Sequence, residues 1–273
     1  MSHREHFSGW PVKRAGYAVL RGGAVVEQVG DEGEFELASI SKLFAALTAM
    51  VAYEEGSLDL DDPAGPEGST VRHLLAHAAG YDFDRDRTIA AAGARRVYSN
   101  VGIEKFAEYL AGQTGMSYEE YLRLGVLDPL GMSDTVLHGS PAHGMRSTVA
   151  DVARLAAEFL RPTLVSPDTM GMATRPVFPD LGGVLPGVGR FDPNPFGLGI
   201  EVKGDKSPHW SGSETSPQTF GHFGGAGTFL WVDPVIDIGA VALTDRDFDL
   251  WAMRSWPEWS DLLIDHLLRG SSA

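Results

Sequence analysis

The 273-residue sequence predicts an α+β fold: an antiparallel β-sheet flanked by helices, with an all-helical subdomain between the segments that build the sheet. Three observations carry this. A hairpin pattern lies near the N-terminus, helical periodicity fills the middle, and strand patterns followed by one amphipathic helix end the chain. Residues 1–55 and 145–273 are therefore expected to form the sheet-plus-helices region of one domain, and residues 56–144 the helical subdomain. A hydrophobic content of 43% can fill a substantial core.

Taken in order, Gly16 to Gly30 reads as two strands turned at Arg21-Gly22-Gly23. In the next stretch Ile40, Leu43, Phe44, Leu47, Met50 and Val51 recur at helical spacing, and Gly56 ends the helix as a C′ residue. Short helices are expected over 70–79, with Thr70 as cap, then over 103–114 and 118–130. The charge-rich run Asp82–Arg87 reads as a solvated loop. A helix over 147–160 precedes a Gly- and Pro-rich connection, 162–220, of the kind that shapes a binding site. Within and after it, 196–202, 220–224, 227–232 and 238–243 read as strands, and 255–269 as a closing amphipathic helix.

Composition excludes several function classes. A formal charge of −15 argues against nucleic acid or an anionic membrane as partner. No run of eighteen apolar residues is present, so no transmembrane helix is expected. The absence of cysteine excludes disulfides and thiolate metal sites. The N-terminal stretch has no apolar signal-like core, and a cytoplasmic protein is expected.

Three short motifs suggest chemistry. Ser39 and Lys42 stand one turn apart at the start of the most apolar helix. A hydroxyl there meets free N–H groups, and a desolvated lysine beside it loses its proton more readily and can activate that hydroxyl. Tyr98-Ser-Asn100 precedes a helix. Tyr98 is a proton-shuttle candidate if a cation holds its phenol partly ionised, and Asn100 a partner for substrate and Lys42. In Phe220-Gly-His-Phe-Gly-Gly-Ala-Gly, His222 would point into the pocket. Glycines such as Gly224 and Gly225 allow close approach, and the Gly225 N–H could join that of Ser39 in an oxyanion hole. Each motif also has a plain reading: a serine cap, helix-entry residues, and a glycine-rich hairpin with a packed histidine.

Together and in this order, Ser39-Ile-Ser-Lys42, Tyr98-Ser-Asn100 and His222-Phe-Gly224 resemble the three motifs of the serine penicillin-recognising hydrolases. The similar group includes class C β-lactamases, D-alanyl-D-alanine carboxypeptidases and β-lactamase-like esterases. The resemblance spans about residues 16–268. It implies the β-lactamase/transpeptidase-like fold, an acyl-Ser39 intermediate, and general acid–base work shared by Lys42 and Tyr98. It also implies a substrate-orienting Asn100, electrostatic help from His222, and oxyanion donors at Ser39 and Gly225. Departures are His222 where β-lactamases usually carry Lys, Phe223 where Thr or Ser often meets a substrate carboxylate, and a short separation between Ser39 and Tyr98. Phe223 is expected to leave the site more apolar.

These departures point to a small ester or amide substrate. β-Lactamase or D-amino peptidase activity, and a non-catalytic binding protein, stand as alternatives. No cofactor is expected. His73 and His77 lie four apart but lack a metalloprotease glutamate, and Asp59, Asp61 and Asp62 lack EF-hand spacing, so no metal is expected.

Overall fold

The computed structural model describes residues 1–270. A short helix α1 (His3–Ser8) leads into β1 (Ala15–Arg21) and β2 (Ala24–Gly30), the expected hairpin. Gly22 and Gly23 turn it at φ +63° and +85°, the left-handed pair that a two-residue hairpin loop needs. After β3 (Phe35–Glu36) comes α2 (Ser41–Glu54), buried along nearly its whole length.

Residues 56–144 hold α3 (Val71–Leu75), α4 (Asn100–Thr114) and α5 (Tyr118–Leu122), which runs on into a π-helical turn, Arg123–Leu127. The helix expected over 70–79 stops early because His77 takes φ +55°; the Thr70 hydroxyl meets His73 Nδ1 at 2.9 Å instead of capping. One strand, β4 (Val136–Leu137), also lies here and joins β5 (Met145–Ser147) and β3 in a three-stranded sheet.

Beyond α6 (Val149–Leu160), the Gly- and Pro-rich connection is more ordered than its composition suggested. It contains α7 (Pro167–Thr174), capped by Ser166, and a hairpin of β6 (Gly183–Leu185) and β7 (Gly189–Phe191). The strand expected over 196–202 shrinks to β8 (Glu201–Val202), because Gly197 N–H closes a tight turn on the Ile200 carbonyl at 2.8 Å. β9 (Phe220–Gly224), β10 (Thr228–Asp233), β11 (Ile238–Thr244) and α8 (Leu250–Arg269) complete the chain.

The main sheet runs β2-β1-β11-β10-β9-β8, antiparallel throughout. Strand alternation splits its two faces. Tyr17, Val19, Phe229 and Trp231 meet α8 and α1 in an aromatic layer with Trp10, Trp256 and Trp259. Ala18, Leu20, Leu230 and Val232 face α2 and α6 in the larger aliphatic core. The sheet edge at β8 is tied to the following loop by buried Glu201, which pairs with Lys206 and accepts from Trp210 Nε1 at 3.1 Å. Among the described residues, no helix is long and apolar enough to cross a membrane.

Candidate active site

Ser39 stands in a single 3₁₀ turn, Ala38–Ile40, just ahead of α2. Ala38 holds φ +46°, uncommon for a residue with a Cβ. The Ser41 hydroxyl pins the turn, donating to the Ala38 carbonyl at 2.6 Å and accepting the Met145 N–H at 3.0 Å. The end of β9 closes on the same turn. A Cβ at Gly224 would lie 2.2 Å from the Leu37 carbonyl oxygen, so only glycine permits the approach. The next residue, Gly225, opens onto a cleft of about 950 Å³ that Ser39 also lines.

Lys42, one turn into α2, is fully buried. Its Nζ reaches Asn100 Oδ1 at 2.7 Å, the Ala142 carbonyl at 2.9 Å and Ser39 Oγ at 3.1 Å. Burial pulls its ammonium down to about 7, against the opposing charges of Asp84 and Glu104. Carbonyl and carboxamide oxygens only accept, so of the three partners Ser39 alone can donate. A neutral Lys42 keeps two N–H bonds to Asn100 and Ala142 and turns its lone pair to the Ser39 hydroxyl.

The Tyr98-Ser-Asn100 segment is fixed from several sides. Ser99 Oγ caps α4 by accepting the Gly102 N–H at 3.1 Å, and Ser99 N–H donates to His77 Nδ1 at 3.2 Å. The His77 ring packs on Tyr98 with centroids 4.5 Å apart. Asn100 Nδ2 donates to Asp84 Oδ1 at 2.6 Å, which orients its oxygen toward Lys42.

Burial raises the Tyr98 phenol well above its ordinary value, opposed by a hydrogen bond with Ser39. Tyr98 is therefore a neutral phenol, and the partly ionised form considered from the sequence is not what this environment favours. Its hydroxyl lies 3.2 Å from His222 Nε2. His222 Nδ1 sits 2.7 Å from the Phe223 carbonyl, which can only accept, so the ring proton is on Nδ1 and Nε2 accepts from Tyr98. Burial, then the Lys42 charge, lower His222 to about 3. The imidazole is 2% exposed and backs Tyr98 rather than pointing into open cleft. It brings no positive charge at neutral pH.

The seven residues singled out, Ser39, Lys42, Tyr98, Asn100, His222, Gly224 and Gly225, thus meet at the junction of α2, α4 and β9. Phe223 departs from expectation. It points to the other face of the sheet, packing on Phe248 at 4.6 Å, and the cleft is acidic rather than apolar, with Glu36, Asp84, Glu104 and Asp247 on its walls. Sequence reasoning missed Asp84, which lay in a charge run that looks solvated, and the Ala142 carbonyl, which has no side-chain signature. His73 and His77 do not converge: the first stacks on Phe178, the second on Tyr98. A more apolar cavity of about 770 Å³, walled in part by Phe159, Met170 and Phe220, lies apart from these groups.

The β-lactamase family model matches residues 9–259, nearly the whole chain. The chain belongs to the β-lactamase family. This family of serine hydrolases includes a structure described as a β-lactamase from Mycobacterium bovis, 46% identical with a TM-score of 0.95, covering 97% of this chain and 99% of that one. A curated β-lactamase of Escherichia coli (strain K12) is 25% identical over 208 residues, which are 57% of this chain and only 54% of that protein. A structure described as a hydrolase with promiscuous acyltransferase activity shares the fold, with a TM-score of 0.77 at 18% identity and 96% coverage of both chains. Membership of the β-lactamase family agrees with the α+β architecture described above.

Proposed function

We propose that this protein hydrolyses small carboxylic esters through an acyl-Ser39 intermediate. The observation that carries the proposal is the Lys42 hydrogen-bond set, in which only Ser39 can give up a proton. With its ammonium drawn down to about 7, much of Lys42 is neutral at ordinary pH, whereas His222, near 3, is far the weaker base.

Lys42 takes the Ser39 proton as Oγ attacks the ester carbonyl, and the N–H groups of Ser39 and Gly225 meet the developing oxyanion. Tyr98, hydrogen-bonded to Ser39 and held neutral, passes a proton to the departing alcohol. Asn100 orients Lys42, and His222 holds the Tyr98 hydroxyl. The Tyr98 phenolate then recovers a proton from the Lys42 ammonium, so that on the acyl-enzyme Lys42 again serves as base, now toward water, and Tyr98 returns a proton to the departing Ser39 oxygen.

The acidic cleft suits a neutral or cationic leaving group. Its one arginine, Arg146, is already paired with Glu34 and Glu36. This disfavours a β-lactam, which carries a carboxylate. β-Lactam hydrolysis remains a second reading because the 46% identical relative is described as a β-lactamase. A cytoplasmic setting belongs to the same proposal.

The test compares p-nitrophenyl acetate, p-nitrophenyl butyrate and nitrocefin with wild type and Ser39→Ala, alongside intact-mass detection of a fluorophosphonate adduct. Ester turnover and an adduct, both lost in Ser39→Ala, are expected. Nitrocefin turnover without ester turnover would favour the second reading. Ester turnover surviving in Ser39→Ala would remove the acyl-serine assignment.

A further inference from the structure

The β6–β7 hairpin lies beside the site, lining a second cavity that Tyr98 shares. Its base is joined to the segment entering Tyr98 by the Arg96 N–H, which donates to the Gly182 carbonyl at 2.9 Å. Its tip, Gly187, presses on Phe248, where an added Cβ would be 2.6 Å from the ring; the Phe248 N–H donates to the Gly225 carbonyl at 2.8 Å. The hairpin therefore reaches from Tyr98 across to the oxyanion side. Beneath it is a cavity of about 350 Å³ lined by Tyr98, Phe83, Arg95, Arg96 and Arg190. Phe83, stacked over Tyr98 at 6.0 Å, also lines the Ser39 cleft, so the two spaces adjoin along this ring.

Charge divides the two spaces. Cavity-lining Asp82 is already bound to Arg87 at 2.7 Å. Arg96 is buried and engaged with backbone carbonyls, among them Ala76 and Val177. Among the described residues, Arg95 makes only a long bond of 3.4 Å to the Ile89 carbonyl. Arg95 and Arg190 thus bring two exposed guanidinium groups to this rim, in a chain of net charge −15 and opposite an acidic cleft. Guanidinium forks match carboxylates in plane and charge.

We propose that the hairpin cavity seats a terminal carboxylate of the acyl group, so that the substrates are monoesters of dicarboxylic acids. This rests on the acyl-Ser39 reading. The acyl chain leaves Ser39, passes Phe83 and ends at Arg95 and Arg190, while the alcohol lies on the acidic side.

The experiment compares p-nitrophenyl hydrogen succinate, glutarate and adipate, each with its neutral methyl ester. The readout is the ratio of kcat/KM, acid form over methyl ester. For the best chain length a ratio of roughly ten or more is expected, the order a charge-assisted hydrogen bond is worth. It should fall as salt is raised, because an exposed pair is screened. Arg95→Gln with Arg190→Gln should bring it close to one, and Arg190→Glu should push it lower still. A wild-type ratio at or below one for every length overturns the inference, even if the methyl esters turn over through Ser39. A high ratio untouched by the arginine variants overturns it too. No turnover of either form defeats the ester-hydrolase reading and the inference together.

Discussion

Lys42→Met tests the central electrostatic claim through stability rather than rate. Folding lowers Lys42 from 10.5 to about 7, chiefly by burial. Below pH 7 both folded and unfolded chains hold the proton. Between about 7 and 10.5 the unfolded chain holds it and the folded chain does not, so stability rises with pH across that window. At 1.36 kcal/mol per unit the whole span is worth about 5 kcal/mol, of which about 2 kcal/mol falls between pH 6 and pH 8.5. Methionine has similar reach and no proton to lose. It leaves the Asn100 and Ala142 oxygens without a donor, a loss independent of pH that drops out of the comparison. Urea unfolding followed by tryptophan fluorescence at pH 6, 7 and 8.5 gives the wild-type-minus-variant difference. It should grow in favour of wild type by about 2 kcal/mol across that range. Parallel curves would mean that Lys42 keeps its charge in the fold, and a lysine base would lose its support.

The same group should set the pH dependence of catalysis. kcat/KM for a neutral ester should climb about tenfold per unit up to about pH 7 and then level, as the neutral amine becomes the resting form. Asp84 is the larger of the two charges holding that value up, so Asp84→Asn should move the limb to lower pH; a limb that stays or moves up contradicts the assignment. Tyr98→Phe removes the proton carrier and should lower kcat by roughly 10²- to 10⁴-fold. Steady-state kinetics near wild type would take Tyr98 out of the proton path.

The large elements were legible because their signals are local. The short strand-like runs of β1, β9, β10 and β11, bounded by glycines and turns, and the periodicity of α2 depend on neighbouring residues, and they align with the strands and helix found. The site was legible in part because its residue types are chemically unusual together. What stayed hidden depends on contacts distant in sequence. Asp84 looks like any solvated acid until Asn100 donates to it, and Phe223 looks cleft-facing until strand pairing with Phe229 turns it toward α8. His77 read as one helical residue among several. Only its left-handed backbone swings the ring onto Tyr98, and a single sequence carries no reliable mark of that.

One free-energy term links the fold to its chemistry. Lys42 is left neutral, and so free to accept a proton, near pH 7 by the same burial that makes it a liability to the fold when charged. Asn100 and Ala142 reduce the liability without removing the reactivity, since two acceptors satisfy a neutral amine and leave its lone pair for Ser39. A third obligate acceptor in place of Ser39 would favour the ammonium and quench the base. The arrangement therefore depends on the number and kind of lysine partners as much as on their identity. Ser39→Ala makes this separable from nucleophile loss: removing the one reversible partner should weaken the ammonium further and shift its titration below that of wild type. An NMR titration of the Lys42 Nζ in this variant reads that shift directly. An upward shift would mean that the Ser39 hydroxyl donates to the amine more strongly than it accepts from the ammonium.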